Sequence, residues 1–181
     1  ISTGIGGGII SKGEILHGVG DAAGEVGHIT ILPDGPECRC GERGCLETLC
    51  SGTGIARRAR ERLASGVESA MTSIAGGADK VTAKIVAEAA RDRDPLAVEI
   101  WDETIRYLAI GIGSIISIIA PEALILGGGV STAGEQLLAP LREQVRRRVR
   151  MLPVEKIKIL QAELGGDSGM HGALILGQRA A

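Results

Sequence analysis

At 181 residues the chain is long enough for one well-buried domain or two small ones. Its net charge of −2 gives no electrostatic case for nucleic acid or an anionic membrane as partner. With one Trp, one Tyr and no Phe the core must be aliphatic, and the 28 glycines gather in clusters, the pattern of backbone that approaches ligands or takes positive φ.

The chain opens without Met at Ile1 to Ile10, ISTGIGGGII, already inside an apparent strand–turn–strand, which reads as the interior of a longer protein. Gly13 to His17 and Val26 to Leu32 are short β-leaning runs separated by Gly18 to Gly24. Together these segments predict an antiparallel start to a mixed sheet. His17 ends its run and carries no assigned role.

The stretch from His28 to Glu47, HITILPDGPECRCGERGCLE, holds three of the four cysteines within eight residues. His28 stands ten positions before Cys38, and Cys40 and Cys45 follow. Three thiolates and an imidazole form a standard closed tetrahedral shell for structural zinc. Pro33, Gly35, Pro36, Gly41 and Gly44 are turn formers that let the loop fold back so that four donors converge. The competing readings are free thiols or a disulfide. A Cys-x-Cys disulfide closes a strained ring, and the chain shows neither a signal peptide nor the cysteine density of an oxidising compartment. Cys50 reads as a small buried apolar residue.

Glu25-Val26-Gly27-His28 followed by Cys-x-Cys-Gly-x-x-Gly-Cys-x-Glu resembles the signature of the ROK family of bacterial sugar kinases and sugar-responsive repressors, and the resemblance runs over nearly the whole chain. Gly35-Pro36 through Gly52 is most similar to the glucokinases. The resemblance implies that Glu25, His28 and Glu47 hydrogen-bond sugar hydroxyls, which both donate and accept. His28 then serves twice, with one ring nitrogen on zinc and the other toward the sugar. It also implies that the Thr-Gly-x-Gly-Gly-Gly element at the head of the chain contacts phosphate. There Thr3, Gly4, Gly6 and Gly7 offer a hydroxyl and backbone N–H groups. The alternative at this element is a tight glycine-rich hairpin without a ligand. Ser2 stands where the family has Gly.

Beyond the zinc loop the pattern turns helical. Leu46 to Cys50 predicts one turn, and Thr53 to Ala64 a helix ended by Gly66, whose Arg57, Arg58, Arg60 and Arg62 read as a solvated basic face. Residues 65–80 read as a loop or weak helix. Thr82 is an N-cap for a helix to about Arg91, and Pro95 opens a long helix to about Ile119. Its Ile-Gly-Ile-Gly run allows close packing against a neighbour. The longest apolar run, Leu108 to Ala120, is too short to span a bilayer and reads as buried helix. Ala123 to Leu126 predicts a short buried strand, Gly127 to Ser131 a glycine turn, and Ala133 to Arg148 a helix whose basic end suits the negative pole of the helix dipole. Ile157 to Ala162 reads as a strand. Gly165 to Gly169 then leads into a helix from Met170 to about Gln178, capped by Asp167 or Ser168.

Strand, glycine turn and helix N-terminus at a sheet edge make a natural nucleotide cradle, or a tight βα turn with no ligand. The resemblance places adenosine recognition at Gly127, Gly128 and Gly129. The alternation after residue 120 gives α/β with parallel βαβ pairing. The resemblance adds the ribonuclease-H-like domain of the actin, Hsp70 and sugar kinase superfamily, with a mixed sheet flanked by helices and an inserted zinc loop at 28–47. Residues 1–181 are expected to be a single C-terminal ROK domain, with the N-terminal kinase domain absent from this chain.

The implied activity is ATP-dependent phosphorylation of a hexose, glucose to glucose 6-phosphate, by a cytoplasmic homodimer with structural zinc and with Mg²⁺ accompanying ATP. The family's catalytic aspartate and its Asp-x-Gly-x-Thr element belong to the first domain and are not found here, so no catalytic residue is assigned and the fragment alone is expected to be inactive. The alternatives are the inducer-sensing domain of a ROK transcriptional repressor and a stand-alone zinc-stabilised sugar-binding module.

Overall fold

The long helix predicted from Pro95 is the element on which the others pack, as a computed structural model describing residues 1–180 shows. In chain order the first elements are β1 (Ile10–Ser11), β2 (Glu14–Ile15), α1 (Leu46–Cys50), α2 (Gly52–Ala64), α3 (Ala70–Ala75) and α4 (Ala83–Arg91). They are followed by α5 (Pro95–Ile119), β3 (Ala123–Leu126), α6 (Glu135–Arg148), β4 (Lys158–Gln161) and α7 (Ser168–Ala180).

Proline at the first position and Asp94 as N-cap start α5, the aspartate accepting the Ala97 N–H at 2.9 Å. The same carboxylate accepts the Ala70 N–H at 2.8 Å and the Ser69 hydroxyl at 2.9 Å, so one residue fastens the starts of both α3 and α5. Ile100, Ile105, Leu108 and Ile116 recur at helical spacing on α5 and are fully buried against α1, α2, α4 and α6. The glycines of this helix allow the close packing expected of them. A Cβ on Gly111 would come within 2.7 Å of Leu46 of α1, and one on Gly113 within 3.3 Å of Arg148. The Thr82 cap is also present, its hydroxyl accepting the Ile85 N–H at 3.3 Å.

β3 and β4 pair in parallel, Leu124 opposite Ile159, with α6 as the crossover. β1 and β2 form an antiparallel hairpin across Lys12 and Gly13, whose φ values of 53° and 81° suit a two-residue turn of the primed kind. Among the described residues these two pairs do not join into the single mixed sheet that was expected. Ile1 meets the end of β3 through only two hydrogen bonds, from its nitrogen to the Gly127 carbonyl at 2.6 Å and from the Val130 N–H to its own carbonyl at 3.1 Å.

Three further expectations are corrected. Val26 to Leu32 is no strand. Val26–His28 is a 3₁₀ turn, and residues 29–32 lie along the cysteine loop instead. Thr30 forms an isolated antiparallel bridge with Cys45, and Ile31 and Leu32 both donate to the Gly44 carbonyl at 2.8 and 3.2 Å. β3 is buried on one side only, since the helices cover a single face, and Ile125 is 65% exposed. The basic side of α2 is not simply solvated. Arg58 is 8% exposed, bonded to Glu103 and Thr104 of α5, and Arg62 pairs with Glu99 at 2.6 Å and Glu103 at 2.8 Å. The acids at helical spacing on α5 draw these arginines inward. At the last helix the Ser168 hydroxyl donates to the Gly165 carbonyl at 2.8 Å. No helix among the described residues is long and apolar enough to cross a membrane.

Candidate functional site

The loop between the first hairpin and α1 is shaped by backbone that only glycine fits. Gly41 and Gly44 have φ of 97° and 65°, and a Cβ on Gly44 would run into the Leu32 carbonyl. A tight turn follows Cys38, with its N–H on the Glu42 carbonyl at 2.7 Å and the Gly41 N–H on its own carbonyl at 3.0 Å. Cys45 stands at the N-cap of α1, so the third thiol and Glu47 are both fixed by the start of one helix.

These turns bring His28, Cys38, Cys40 and Cys45 together, with one ligand atom from each lying within 4.8 Å of the others. Cys38 Sγ is 3.6 Å from His28 Nδ1, and Cys40 Sγ is 3.6 Å from Cys45 Sγ. A tetrahedral ion with bonds of about 2.3 Å to sulfur needs donor–donor edges of about 3.8 Å. The donor set and its spacing therefore fit zinc. All four cysteines are free thiols, which removes the disulfide reading. Burial pushes the Cys45 thiol up to about 12, whereas the Glu42 backbone N–H, followed by the Cys38 thiol, lowers that of exposed Cys40. Cys50 is fully buried and its thiol faces the Thr104 carbonyl at 3.5 Å, as its apolar reading requires.

His28 has its two nitrogens in different company. Nδ1 faces Cys38, while Nε2 lies 3.8 Å from Glu25 Oε2. Ile5 links this turn to Glu47. Its N–H donates to Glu47 Oε2 at 2.7 Å, and its carbonyl is packed against Gly27 so closely that a Cβ there would collide with it. Gly4 leaves room for the same carboxylate. Ile5 thus contacts both the Glu25–His28 turn, through Gly27, and Glu47.

A second feature is a cleft of about 770 Å³ between the N-terminal half of α2, the length of α4, the turn before α6, and residues 2–3. Thr3 and Gly129 lie on its wall, so the head of the chain and the second glycine turn do meet there. The Thr53 hydroxyl donates to the Thr3 carbonyl at 2.8 Å and the Gly52 N–H to the Ser2 carbonyl at 2.7 Å, which fixes that approach. Gly4, Gly6, Gly7, Gly127 and Gly128 do not line the cleft. Gly7 is packed instead against the Gly24 carbonyl, and Gly128, at φ 90°, against the Ile1 backbone. Sequence reading missed Arg60, Lys84 and Arg91 on the cleft wall. Helical arginines and lysines read as solvent-facing by default, and no spacing distinguishes those that border a cleft.

Fold and site together define an α/β domain with a clustered His/Cys set. The structure of a ROK family glucokinase from Streptomyces griseus in complex with glucose and AMPPNP superposes with a TM-score of 0.83 at 36% identity, covering 97% of this chain and 58% of that one. The ROK family model matches residues 1–180, and the chain belongs to the ROK family. A glucokinase of Halalkalibacterium halodurans is 40% identical over 173 residues, covering 95% of this chain and 52% of its own length. An N-acetylglucosamine repressor of Escherichia coli O157:H7 is 31% identical over 180 residues, covering 99% of this chain and 43% of its own length. The chain spans about half the length of the curated glucokinases it matches.

Proposed function

We propose that this chain is the sugar- and zinc-binding half of an ATP-dependent hexose kinase with glucose as its substrate. The observation that carries this reading is the division of His28 between the cysteine cluster and Glu25, with Glu47 held across Ile5. Two carboxylates and an imidazole in this arrangement suit a vicinal set of sugar hydroxyls. Zinc held by His28, Cys38, Cys40 and Cys45 fixes the ring orientation of His28 and leaves Nε2 for the sugar. The Ile5 N–H occupies one oxygen of Glu47, orienting the carboxylate.

ATP, with its Mg²⁺, is assigned to the cleft bordered by Thr3 and Gly129, the nucleoside toward the second glycine turn and the phosphates toward Thr3. Phosphoryl transfer is mostly positioning and electrostatic stabilisation. The residues of this chain supply the positioning, and the general base is assigned to the first domain of a protein that works as a cytoplasmic homodimer. A sensor has no need of a nucleotide cleft, and this favours the kinase over the repressor reading, in which the same sugar site would receive an inducer. A coupled assay on the intact protein is expected to show glucose phosphorylation that depends on ATP. A protein that binds glucose but transfers no phosphoryl group from ATP would contradict the kinase reading and support the sensor.

A further inference from the structure

Arg91 ends α4, where a basic residue is ordinarily a solvated partner of the helix dipole. Here it is tied down. Its Nε and Nη2 both donate to Gln136 Oε1, at 3.3 and 3.1 Å, and the Gln136 amide in turn donates to the Ala87 carbonyl at 2.7 Å. The Gln136 carbonyl accepts the indole N–H of Trp101 at 3.3 Å, so α4, α5 and α6 all hold the one glutamine. No carboxylate pairs with Arg91 among the described residues. A guanidinium held along one edge by a neutral amide keeps its charge and its planar surface available.

The surroundings say what such a group can meet. Arg91 lines the cleft together with apolar Ala87, Val130 and Ala133, and with Glu88 and Thr132. Arg60 also lines it, its Nε donating to the Val81 carbonyl at 2.9 Å. An apolar wall beside a fixed guanidinium suits a flat heteroaromatic ring, and bases stack on arginine planes as well as on aromatic rings. The only aromatic ring on the cleft wall, Trp101, is 4% exposed with its N–H engaged. Arg91 is an exposed planar side chain on that wall.

We propose that Arg91, positioned by Gln136, stacks on the base of the phosphoryl donor and so makes the cleft selective for a nucleoside triphosphate over inorganic polyphosphate. This rests on the assignment of the nucleotide to the cleft. The test is calorimetric titration of the intact protein with AMPPNP and, separately, with inorganic tripolyphosphate, in the wild type and in Arg91→Ala, Arg91→Lys and Gln136→Leu. AMPPNP affinity should fall about tenfold or more in Arg91→Ala, with little recovery in Arg91→Lys and a smaller loss in Gln136→Leu. Tripolyphosphate affinity should be unchanged, and KM for ATP should rise without change in kcat or in KM for glucose.

Recovery by Arg91→Lys, or equal loss of AMPPNP and tripolyphosphate, would overturn the proposal in favour of a phosphate contact. If AMPPNP protects no amide of α4 from hydrogen exchange in the wild type, the assignment of the cleft itself fails, and the proposal with it. Arg91 is exposed, so its substitutions leave the core intact even if Gln136→Leu does not fold.

Discussion

At the scale of single residues, the proposed sugar site depends on groups whose partners are already in place. Glu47 has one oxygen on the Ile5 N–H, so Glu47→Gln keeps that hydrogen bond only if its carbonyl oxygen faces Ile5, and it loses the charge in either case. Hydrogen bonds to charged groups are worth about 1.5–3 kcal/mol, so Glu25→Gln and Glu47→Gln should each raise KM for glucose by about tenfold or more. KM for ATP should stay within about twofold, because neither residue lines the cleft. Steady-state kinetics of the intact protein with each substrate varied checks this. Cys50 makes the opposite case. It is buried among apolar side chains outside the cluster, and Cys50→Ala should leave the zinc content unchanged in elemental analysis.

At the scale of elements, Asp94 fastens two helices. Burial works to raise its pKa, but the N–H groups of Ala97 and Ala70 and the Ser69 hydroxyl outweigh it and hold the carboxyl below its ordinary 3.8. A carboxylate with a depressed folded pKa contributes stability that is complete above the unfolded value and lost as pH falls through the folded one. Asp94→Ala should therefore cost about 1–2 kcal/mol at pH 7, measured by urea unfolding. Its gap to Asp94→Asn should be steady at neutral pH, and the gap of Asp94→Asn to wild type should close as pH drops below 3.8.

Gly111 matters for a different reason. Its missing Cβ is what lets Leu46 seat α1 against α5, and α1 carries Glu47. Overpacking of this kind costs about 1–3 kcal/mol, so Gly111→Ala should lower stability. By displacing α1 it should also weaken glucose binding, whereas Gly113→Ala, at the Arg148 side, should affect stability alone.

At the scale of the whole molecule, local chemistry was legible and long-range pairing only in part. The cap at Thr82, the proline start and the limits of α5 follow from side-chain capping, proline and apolar spacing, which act within a few residues. The parallel β3–α6–β4 unit follows from the alternation of strand and helix, whereas the Asp94 cap was not read. The convergence of His28 with Cys38, Cys40 and Cys45 could be read from spacing because such a donor set suits a tetrahedral zinc shell and the intervening glycines permit the turn. The strand expected at Val26 to Leu32 failed because β-leaning composition does not reveal how long a ladder its partner can sustain, and here the pairing stops at one bridge, Thr30 with Cys45. Arg58 and Arg62 were misread because the acids that draw them inward lie some forty residues away on α5. The cleft joins residues 2–3 to α2, α4 and the Gly129 turn, a meeting that no single window of sequence contains.

In the proposed function, His28 joins a zinc-holding cysteine cluster to the sugar site, and this coupling is open to one direct measurement. Glucose is titrated calorimetrically into the intact protein as loaded with zinc, after chelator treatment, and after zinc is restored. Stripping the metal should weaken glucose binding by about tenfold or more, and zinc should restore it, since the ring orientation of His28 depends on the ion. Equal glucose affinity with and without zinc would show that His28 and its neighbours are not organised by the cluster, and would contradict the site described here.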